Sequence, residues 1–407
     1  MNKSTETPPP LPSGERPTSA SPPPIPTASR PDLAALQASK PKPSTPSKSN
    51  ADVCLRCRDF SAADAHAARF PRESIPSQDV NWLAHQLTSP FPSATDKARV
   101  IFTWLHHNIA YNVDAFFSNN VKGSTPSGTI ASGLAVCEGY AGLFAALAMA
   151  AGLEAIVIGG HGKGYGHHPL APGAPLPPPS SNHAWNVVRI DNGEWKLIES
   201  TWGAGNVGGP GQYQKAFKPE HFTMTNEDFG LTHWPSDSNR FYRADGRSIS
   251  WEEYMLEDGG ENEKRMVYGD VTSSHGISTN SIQPKNKKIK LNDPAAAGPS
   301  VRFQMEKVCR HWDNAKNGPG PDCLFLLQVH GRDGRNDDMI PFEHDGYFWW
   351  VDISRLELGA PGQQARIIAI TQFDGRDARG LTKQQFLAKK GSVGMSWGYL
   401  ADWDLVH

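Results

Sequence analysis

Cys137 stands where a glycine-containing loop meets an apolar run with helical character. Because the N-terminal end of a helix carries partial positive charge, we expect a thiolate to be favoured at this position. A thiolate attacks carbonyl carbons, which is the first step of acyl transfer. Free cysteine is also among the most buried residue types, so a purely structural thiol is the alternative interpretation of Cys137 taken alone.

A cysteine nucleophile needs a histidine base, and the base needs an acceptor that orients it. His183 begins one predicted strand and Glu199 ends the next, with the turn segment 191–193 (Asp-Asn-Gly) between them. A two-residue turn would place the two side chains on opposite faces. A three-residue turn with its glycine left-handed would pair Ile190 with Glu194 and make Glu199 the same-face diagonal neighbour of His183. The two residues can act together only with the second turn.

Helical and strand patterns indicate which elements position these residues. Ser93 and Asp96 have the spacing of a capping box, and apolar residues follow the helical period over 98–109. A second helix is predicted from about 137 to 151, followed by a short buried strand at 155–158. Helices precede strands, which favours an α+β fold over alternating βαβ units.

Five segments, taken together, resemble the transglutaminase-like superfamily. They are Arg99-Val-Ile-Phe-Thr-Trp104 with Asn108-Ile-Ala-Tyr111, Val136-Cys-Glu-Gly-Tyr140, His183-Ala-Trp-Asn186, Trp195-Lys-Leu-Ile-Glu199-Ser-Thr-Trp-Gly203 and His233-Trp-Pro-Ser-Asp237. Within the superfamily, the chain is most similar to the kyphoscoliosis-peptidase branch and its fungal cytokinesis relatives. The similarity covers roughly residues 80–245, and it extends more loosely to the C-terminal part.

The resemblance implies a papain/transglutaminase-like core, in which the helix that bears the cysteine packs on an antiparallel sheet. It also implies a triad in which Cys137 is the nucleophile, His183 is the general base and Glu199 occupies the family's aspartate position. Glutamate is one methylene longer than aspartate, which is a departure from the family pattern. Backbone N–H groups at Cys137 would stabilise the oxyanion, and Trp104 is the candidate for a second donor. This chemistry needs no cofactor.

Cys54, Cys57 and His66 resemble half of a zinc site, because the two cysteines have the Cys-x-x-Cys spacing. A fourth ligand would come from Asp59, Asp64 or a distant cysteine such as Cys309 or Cys323. The alternative interpretation is a metal-free local cap that packs on the catalytic domain.

Composition divides the chain into predicted folded and unfolded segments. Proline occurs 34 times, 13 of them in residues 1–50, which contain no aromatic residue. Such a segment cannot bury enough apolar surface to offset its ordering entropy. Residues 301–407 contain three strand-like runs and several Asp-Gly turns, which predict an antiparallel sandwich. The predicted divisions are a disordered tail (1–50), a Cys-x-x-Cys/His segment (51–79), a transglutaminase-like domain (80–270), a disordered linker (271–300) and a β-sandwich-like domain (301–407).

Charge and cysteine content exclude several classes. Lys and Arg number 40 against 42 Asp and Glu, so no global charge favours nucleic acid. There is no apolar run long enough to span a membrane and no apolar signal-peptide core. Five cysteines in 407 residues indicate free thiols in a reducing compartment, so the cytoplasm is the predicted location.

Two functional hypotheses follow from these features. The first is a cysteine-dependent acyl-transfer enzyme, either peptidase or transglutaminase, that acts on a protein substrate through Cys137, His183 and Glu199. The second is a scaffold for cytokinesis or cortical and cytoskeletal assembly that keeps the fold without turnover. The tail carries Pro-x-x-Pro motifs, including Lys40-x-x-Pro43-x-x-Pro46, which have the spacing of SH3 ligands. Chance matches in proline-rich sequence are the alternative explanation for these motifs.

Overall fold

The computed structural model describes residues 54–208, 211–258, 263–292 and 299–407. The segment 1–50 and its SH3-type motifs lie outside these ranges. In the described part of the chain the α-helices are, in order, α1 (Ser61–Ala67), α2 (Val80–Thr88), α3 (Ala94–Asn108), α4 (Val113–Phe117), α5 (Pro126–Ser132), α6 (Cys137–Ala150), α7 (Ser200–Ala204), α8 (Glu220–Thr223), α9 (Asn226–Phe229), α10 (Trp251–Leu256), α11 (Gly269–Ser274), α12 (Asn314–Asn317), α13 (Arg355–Leu358) and α14 (Lys383–Lys389). Short 3₁₀ helices span Arg72–Ser74, Ser238–Arg240 and Thr279–Ser281. Within the described ranges, none of these helices has the length and apolar composition needed to cross a bilayer.

The strands form five sheets in the described ranges. In chain order they are β1 (Ala110–Tyr111), β2 (Leu134–Ala135), β3 (Ala155–Gly162), β4 (His183–Arg189), β5 (Trp195–Ile198), β6 (Gly205–Gly208), β7 (Gln212–Lys215), β8 (His233–Pro235), β9 (Met266–Val267), β10 (Lys288–Lys290), β11 (Ser300–Glu306), β12 (Phe325–Val329), β13 (Asp338–Pro341), β14 (Glu343–His344), β15 (Phe348–Ser354), β16 (Gln364–Phe373), β17 (Arg376–Asp377) and β18 (Met395–Val406). The sheet that concerns the candidate site is antiparallel and has the order β5-β4-β3-β8.

Helix α6 packs against β4 and β3 of this sheet, as the family resemblance implied. Its buried face includes Leu143, Phe144 and Leu147, and each such side chain contributes roughly 1.5–3 kcal/mol when it leaves water. The buried Asn186 of β4 donates from Nδ2 to the carbonyl oxygen of Ala141, at 2.9 Å, and so ties the helix to the sheet. The expected α+β core, with a cysteine-bearing helix on an antiparallel sheet, is confirmed.

Helix α3 begins at the cap that its sequence indicates. The Ser93 hydroxyl accepts a hydrogen bond from the backbone N–H of Asp96, at 3.1 Å. The buried Arg99 forms a two-pronged ion pair with Asp64 of α1, at 2.7 and 2.8 Å, and the Thr103 hydroxyl donates to the same carboxylate. The residues after the Cys-x-x-Cys motif therefore pack directly on α3. We call the three packed helices α1, α2 and α3 the helical layer of the candidate catalytic domain.

The C-terminal part is a sandwich of two sheets. The larger sheet has the order β10-β18-β16-β12-β13, with β17 on β16 and β9 on β18, and the smaller has the order β11-β15-β14. Aromatic side chains meet between them: Phe303 lies 4.9 Å from Trp403 and Phe325 lies 5.6 Å from Trp349, measured between ring centroids. The predicted sandwich is confirmed, but it is not wholly antiparallel, because β10 pairs with β18 in parallel.

The predicted disordered linker at 271–300 is wrong for the residues that the structure describes. The end of α11, a 3₁₀ turn and β10 occupy this segment, and β9 already belongs to the sandwich. Ile277, Ile282 and Ile289 are buried in the sandwich core, with 4% exposure or less. The prediction failed because it relied on missing aromatic residues and a cluster of lysines, although three isolated isoleucines between polar residues are enough to anchor a connecting segment and the short edge strand β10 in the core. Residues 293–298 lie outside the described ranges.

Candidate active site

Cys137 is the first residue of α6, and its side chain is half-buried. The N-cap residue Val136 offers no side-chain acceptor to the N–H groups of the first turn. Gly139 permits the close approach of the preceding strand, since an added Cβ would lie 2.8 Å from a methyl carbon of β2. The Tyr140 hydroxyl donates to the carbonyl oxygen of Ile109 at 2.6 Å. These contacts fix the start of α6 against the end of α3.

A three-residue turn joins β4 to β5, which is the turn that the same-face hypothesis requires. Gly193 has a φ of +79°, a left-handed conformation that glycine adopts without strain. The backbone N–H of Ile190 donates to the carbonyl oxygen of Glu194 at 3.0 Å. The resulting register brings the Nε2 atom of His183 to 2.7 Å from the Oε2 atom of Glu199. The alternative with opposite faces is excluded.

Glu199 is completely buried and uses both of its carboxylate oxygens. Oε1 accepts hydrogen bonds from the backbone N–H groups of Thr201 and Trp202, at 2.8 and 3.1 Å, and so caps α7. Oε2 faces His183, and it also lies 3.1 Å from the Nε2 atom of His233. The additional methylene of glutamate therefore does not prevent contact with the imidazole.

Charge stabilises the His183–Glu199 pair. Burial alone would lower the pKa of His183, but the Glu199 carboxylate and a hydrogen bond with the Cys137 thiol raise it to about 10. Burial alone would raise the pKa of Glu199, but the positive charge of His183 and hydrogen bonds from both histidines hold it far below its ordinary value. At neutral pH the pair is imidazolium and carboxylate. Because Nε2 is engaged by Glu199, Nδ1 is the ring nitrogen available to Cys137.

Two aromatic side chains that the sequence analysis did not assign enclose the pair. Trp202 stacks on His183, with ring centroids 5.0 Å apart and planes at 23°. His233 is fully buried, stacks on Phe229 at 4.0 Å, and has its pKa lowered by burial. A neutral His233 with its proton on Nε2 donates to Glu199. Both residues belong to segments that carried the family resemblance, so those motifs held the signal for them.

Trp104 does not fit the role of second oxyanion donor. Its side chain is fully buried, and its Nε1 donates to the carbonyl oxygen of Phe70 at 2.8 Å. Indole has one N–H and no other donor, so the expectation for Trp104 is wrong. Tyr111 lies nearer to the site, because it pairs in the β1–β2 ladder with Ala135, two residues before Cys137. Burial raises the pKa of its hydroxyl.

Exposed aromatic side chains lead away from Tyr111. Phe116 contacts Tyr111, with centroids 5.7 Å apart, and Phe117 contacts Tyr165 at 5.4 Å. We call Phe116, Phe117 and Tyr165 the aromatic rim; they are 38%, 49% and 53% exposed. The glycine that precedes Tyr165 packs against Trp202, because an added Cβ would lie 2.8 Å from the indole. The rim therefore extends from the Cys137 side of the site to the His183 side.

Two clusters in the described part of the chain have side-chain atoms suited to a metal ion. One consists of His183, Glu199 and His233, where a metal would have to replace the hydrogen bonds just described. The other consists of Cys54, Cys309 and His311.

His66, predicted as a ligand beside Cys54 and Cys57, does not belong to either cluster. Its Nε2 lies 3.0 Å from the carbonyl oxygen of Gln86, and its ring packs against Phe70 and Phe91. The prediction is wrong for His66 because α1 turns this side chain into the helical layer.

Residues 82–199 match the family model described as the transglutaminase-like superfamily. That stretch contains Cys137, His183 and Glu199. The stretch 82–199 is a transglutaminase-like domain. The domain region is similar to kyphoscoliosis peptidase of Mus musculus, with 31% identity over 153 residues, which are 38% of this chain and 22% of the mouse protein. The resemblance to the transglutaminase-like superfamily and its kyphoscoliosis-peptidase branch is confirmed.

Other relatives share the transglutaminase-like domain. Lim and transglutaminase domain protein ltd-1 of Caenorhabditis elegans is 28% identical over 210 residues, which are 49% of this chain and 28% of that protein. The chain thus spans about a quarter of the length of the curated relatives it matches. A solved structure of a TGase covers 46% of this chain and 41% of its own, with 18% sequence identity and a TM-score of 0.22.

Proposed function

We propose that the protein is a cysteine-dependent acyl-transfer enzyme that acts on polypeptides. The observation that carries this proposal is the 2.7 Å contact between Nε2 of His183 and Oε2 of Glu199, and Cys137 lies close enough to the same imidazole to contribute to its raised pKa. Nucleophile, base and orienting acid thus adjoin one another in the order that acyl transfer requires.

In the proposed reaction, the Cys137 sulfur attacks a carbonyl carbon and forms a tetrahedral intermediate. The proton held by His183 passes to the leaving amine, the carbon–nitrogen bond breaks, and a thioester to Cys137 remains. Water or a second amine then attacks the thioester, His183 accepts its proton, the carbon–sulfur bond breaks, and Cys137 leaves as the thiolate beside the restored imidazolium. Glu199 keeps its charge throughout and holds the imidazole in orientation.

The oxyanion of the intermediate needs hydrogen-bond donors. We assign this role to backbone N–H groups in the first turn of α6, at Cys137 and Glu138. Val136 supplies no side-chain acceptor that competes for them, and the helix dipole favours negative charge at this end.

The aromatic rim favours the hypothesis that the substrate is a polypeptide. Phe117 and Tyr165 together offer an exposed apolar surface beside the site, where an apolar side chain of a substrate would lose its contact with water. Hydrolysis and crosslinking differ only in whether water or an amine reaches the thioester. Both are therefore versions of one proposed function, carried out in the cytoplasm without a cofactor at this site.

A scaffold in cytokinesis or in cortical or cytoskeletal assembly, recruited by SH3 partners through the tail, is the competing hypothesis. The glutamate at the family's aspartate position had favoured this scaffold hypothesis, but that support is weakened because Glu199 contacts His183.

Labelling with iodoacetamide at several pH values distinguishes the enzyme from the scaffold. For the enzyme, we expect Cys137 to react faster than the same residue in His183→Ala, and the difference to be largest below pH 8. Equal rates would favour the scaffold, and Cys137→Ser reports the background from the other thiols.

A further inference from the structure

Two loops that are distant in the chain bring three cysteines and a histidine together. Cys54 and Cys57 precede α1, whereas Cys309 and His311 follow β11. The Sγ atoms of Cys57 and Cys309 lie 3.0 Å apart, although 252 positions separate the residues. The ligand atoms of Cys54, Cys309 and His311 all lie within 4.8 Å of one another. None of the three cysteines is in a disulfide.

The backbone around these thiols has donors aimed at sulfur. The carbonyl oxygen of Cys54 accepts from the N–H groups of Cys57 and Arg58, at 3.0 Å each, so the Cys-x-x-Cys segment forms a tight turn. The backbone N–H groups of Arg56 and Cys57 lie beside the Cys54 sulfur, and the backbone N–H of His311 lies beside the Cys309 sulfur. Outer hydrogen bonds of this kind orient thiolate ligands and balance their charge around a metal.

We propose that Cys54, Cys57, Cys309 and His311 bind one zinc ion. Three thiolates and one imidazole are a ligand set of tetrahedral structural zinc sites, with zinc–sulfur distances of about 2.3 Å and zinc–nitrogen distances of about 2.0–2.1 Å. In a tetrahedral site with one nitrogen, such distances place neighbouring ligand atoms roughly 3.5–3.8 Å apart. The 3.0 Å between the sulfurs of Cys57 and Cys309 is somewhat shorter than that range, and the ligand atoms of Cys54, Cys309 and His311 lie within 4.8 Å of one another, so Cys309 adjoins each of the other three ligands.

All four coordination positions are filled by protein side chains, so this zinc is structural. It joins the turn before α1 to the loop after β11, and therefore connects the helical layer of the transglutaminase-like domain to the sandwich. Asp228 supports the same junction, because its carboxylate accepts hydrogen bonds from Arg56 and from Asn280, each at 2.9 Å. Metal binding that forms only in the folded chain adds directly to its stability.

The first test is the metal content of the full-length protein, purified with reductant and without chelator. Mass spectrometry of metals should find one zinc per chain. The Cys54→Ser and His311→Ala variants should each contain much less than one zinc per chain. Cys323→Ala is the matched control, because Cys323 is also a cysteine of the sandwich but lies outside the cluster. Iron in place of zinc, or no stoichiometric metal in the wild type, would overturn the proposal.

The second test needs no variant, so a failure of the variants to fold cannot obscure it. Native protein is treated with N-ethylmaleimide before and after a chelator, and each cysteine peptide is quantified. Cys54, Cys57 and Cys309 should be protected first and labelled afterwards, whereas Cys137 should be labelled in both cases. Labelling of the three before chelation, or a Cys57–Cys309 disulfide in the unreduced peptide map, would refute the zinc site.

Discussion

The Oε2 atom of Glu199 is shared by two histidines, at 2.7 Å from Nε2 of His183 and 3.1 Å from Nε2 of His233. The other oxygen caps α7 through two backbone N–H groups. Every hydrogen bond to this buried carboxylate restricts its rotation. Glu199 therefore has one available orientation, and through it so does His183.

Glu199→Gln should impair the reactivity of Cys137, because it removes the charge that holds His183 protonated and oriented. We expect alkylation of Cys137 at pH 6 to slow by about 10²-fold, because a positioned acid–base partner typically contributes about that factor. Glu199→Asp keeps the charge but is too short to preserve all four contacts. Its rate should lie between the wild type and the glutamine variant.

Circular dichroism and thermal melting of both variants provide the control for folding. A folded glutamine variant that is alkylated at the wild-type rate would show that Glu199 has only a structural role. The order of the three rates is thus informative even if both variants are less stable.

The His183–Glu199 pair should make stability depend on pH. The folded-state pKa of His183 is raised from 6.5 to about 10, so its contribution is complete below pH 6.5 and is lost as pH rises towards 10. The pKa of Glu199 is lowered from 4.5, so its contribution is present above pH 4.5 and is lost on acidification. The free energy of unfolding, from urea titrations, should fall between pH 6.5 and 10 more steeply in the wild type than in His183→Gln. Parallel slopes would contradict the pairing.

The arrangement of His183 and Glu199 could be predicted because strand pairing is a local property. Once the turn has three residues, a register with period two decides which side chains share a face. The helix that begins at Cys137 could be predicted for a similar reason, since its apolar run is continuous. Both features are determined by residues that are close together in the sequence.

The cluster around Cys54 could be predicted only in part, since a distant cysteine such as Cys309 was a candidate ligand but His311 was not. No local pattern links residues separated by 252 positions, and their approach depends on how the sandwich packs. The prediction that Trp104 is the second oxyanion donor failed for a related reason. A sequence shows that an indole N–H exists, but not that the carbonyl of Phe70 already accepts it.

Trp104→Phe should destabilise the protein without changing the site. It removes the hydrogen bond to Phe70 and leaves a partly buried carbonyl without its partner, which costs about 1 kcal/mol or more. The alkylation rate of Cys137 and its pH dependence should match the wild type. A slower peptidase or crosslinking reaction in a folded Trp104→Phe variant would restore the oxyanion role to this residue.

Phe117→Ala should weaken polypeptide binding but leave the intrinsic reactivity of Cys137 unchanged. Phe117 is 49% exposed in the aromatic rim, so its loss disturbs little of the core. A peptide-based vinyl sulfone should label the variant more slowly, by about threefold to tenfold, whereas iodoacetamide should label it at the wild-type rate. Leu387→Ala, an equally exposed apolar residue on α14, is the matched control. Equal slowing with both reagents would mean that Phe117 acts on the thiol instead of on the substrate.

Gly162→Ala should disturb His183 directly. A Cβ at this position of β3 would lie 3.0 Å from the Cδ2 and Cγ atoms of His183, so the ring has to shift by a few tenths of an ångström. Gly159→Ala on the same strand is the matched control, because its Cβ would meet nothing closer than the Ser181 hydroxyl, at 3.9 Å. We expect slower alkylation of Cys137 in Gly162→Ala only, with similar melting temperatures for the two variants. Equal rates would mean that the imidazole tolerates this displacement, and that contact with Glu199 alone determines the reactivity of the thiol.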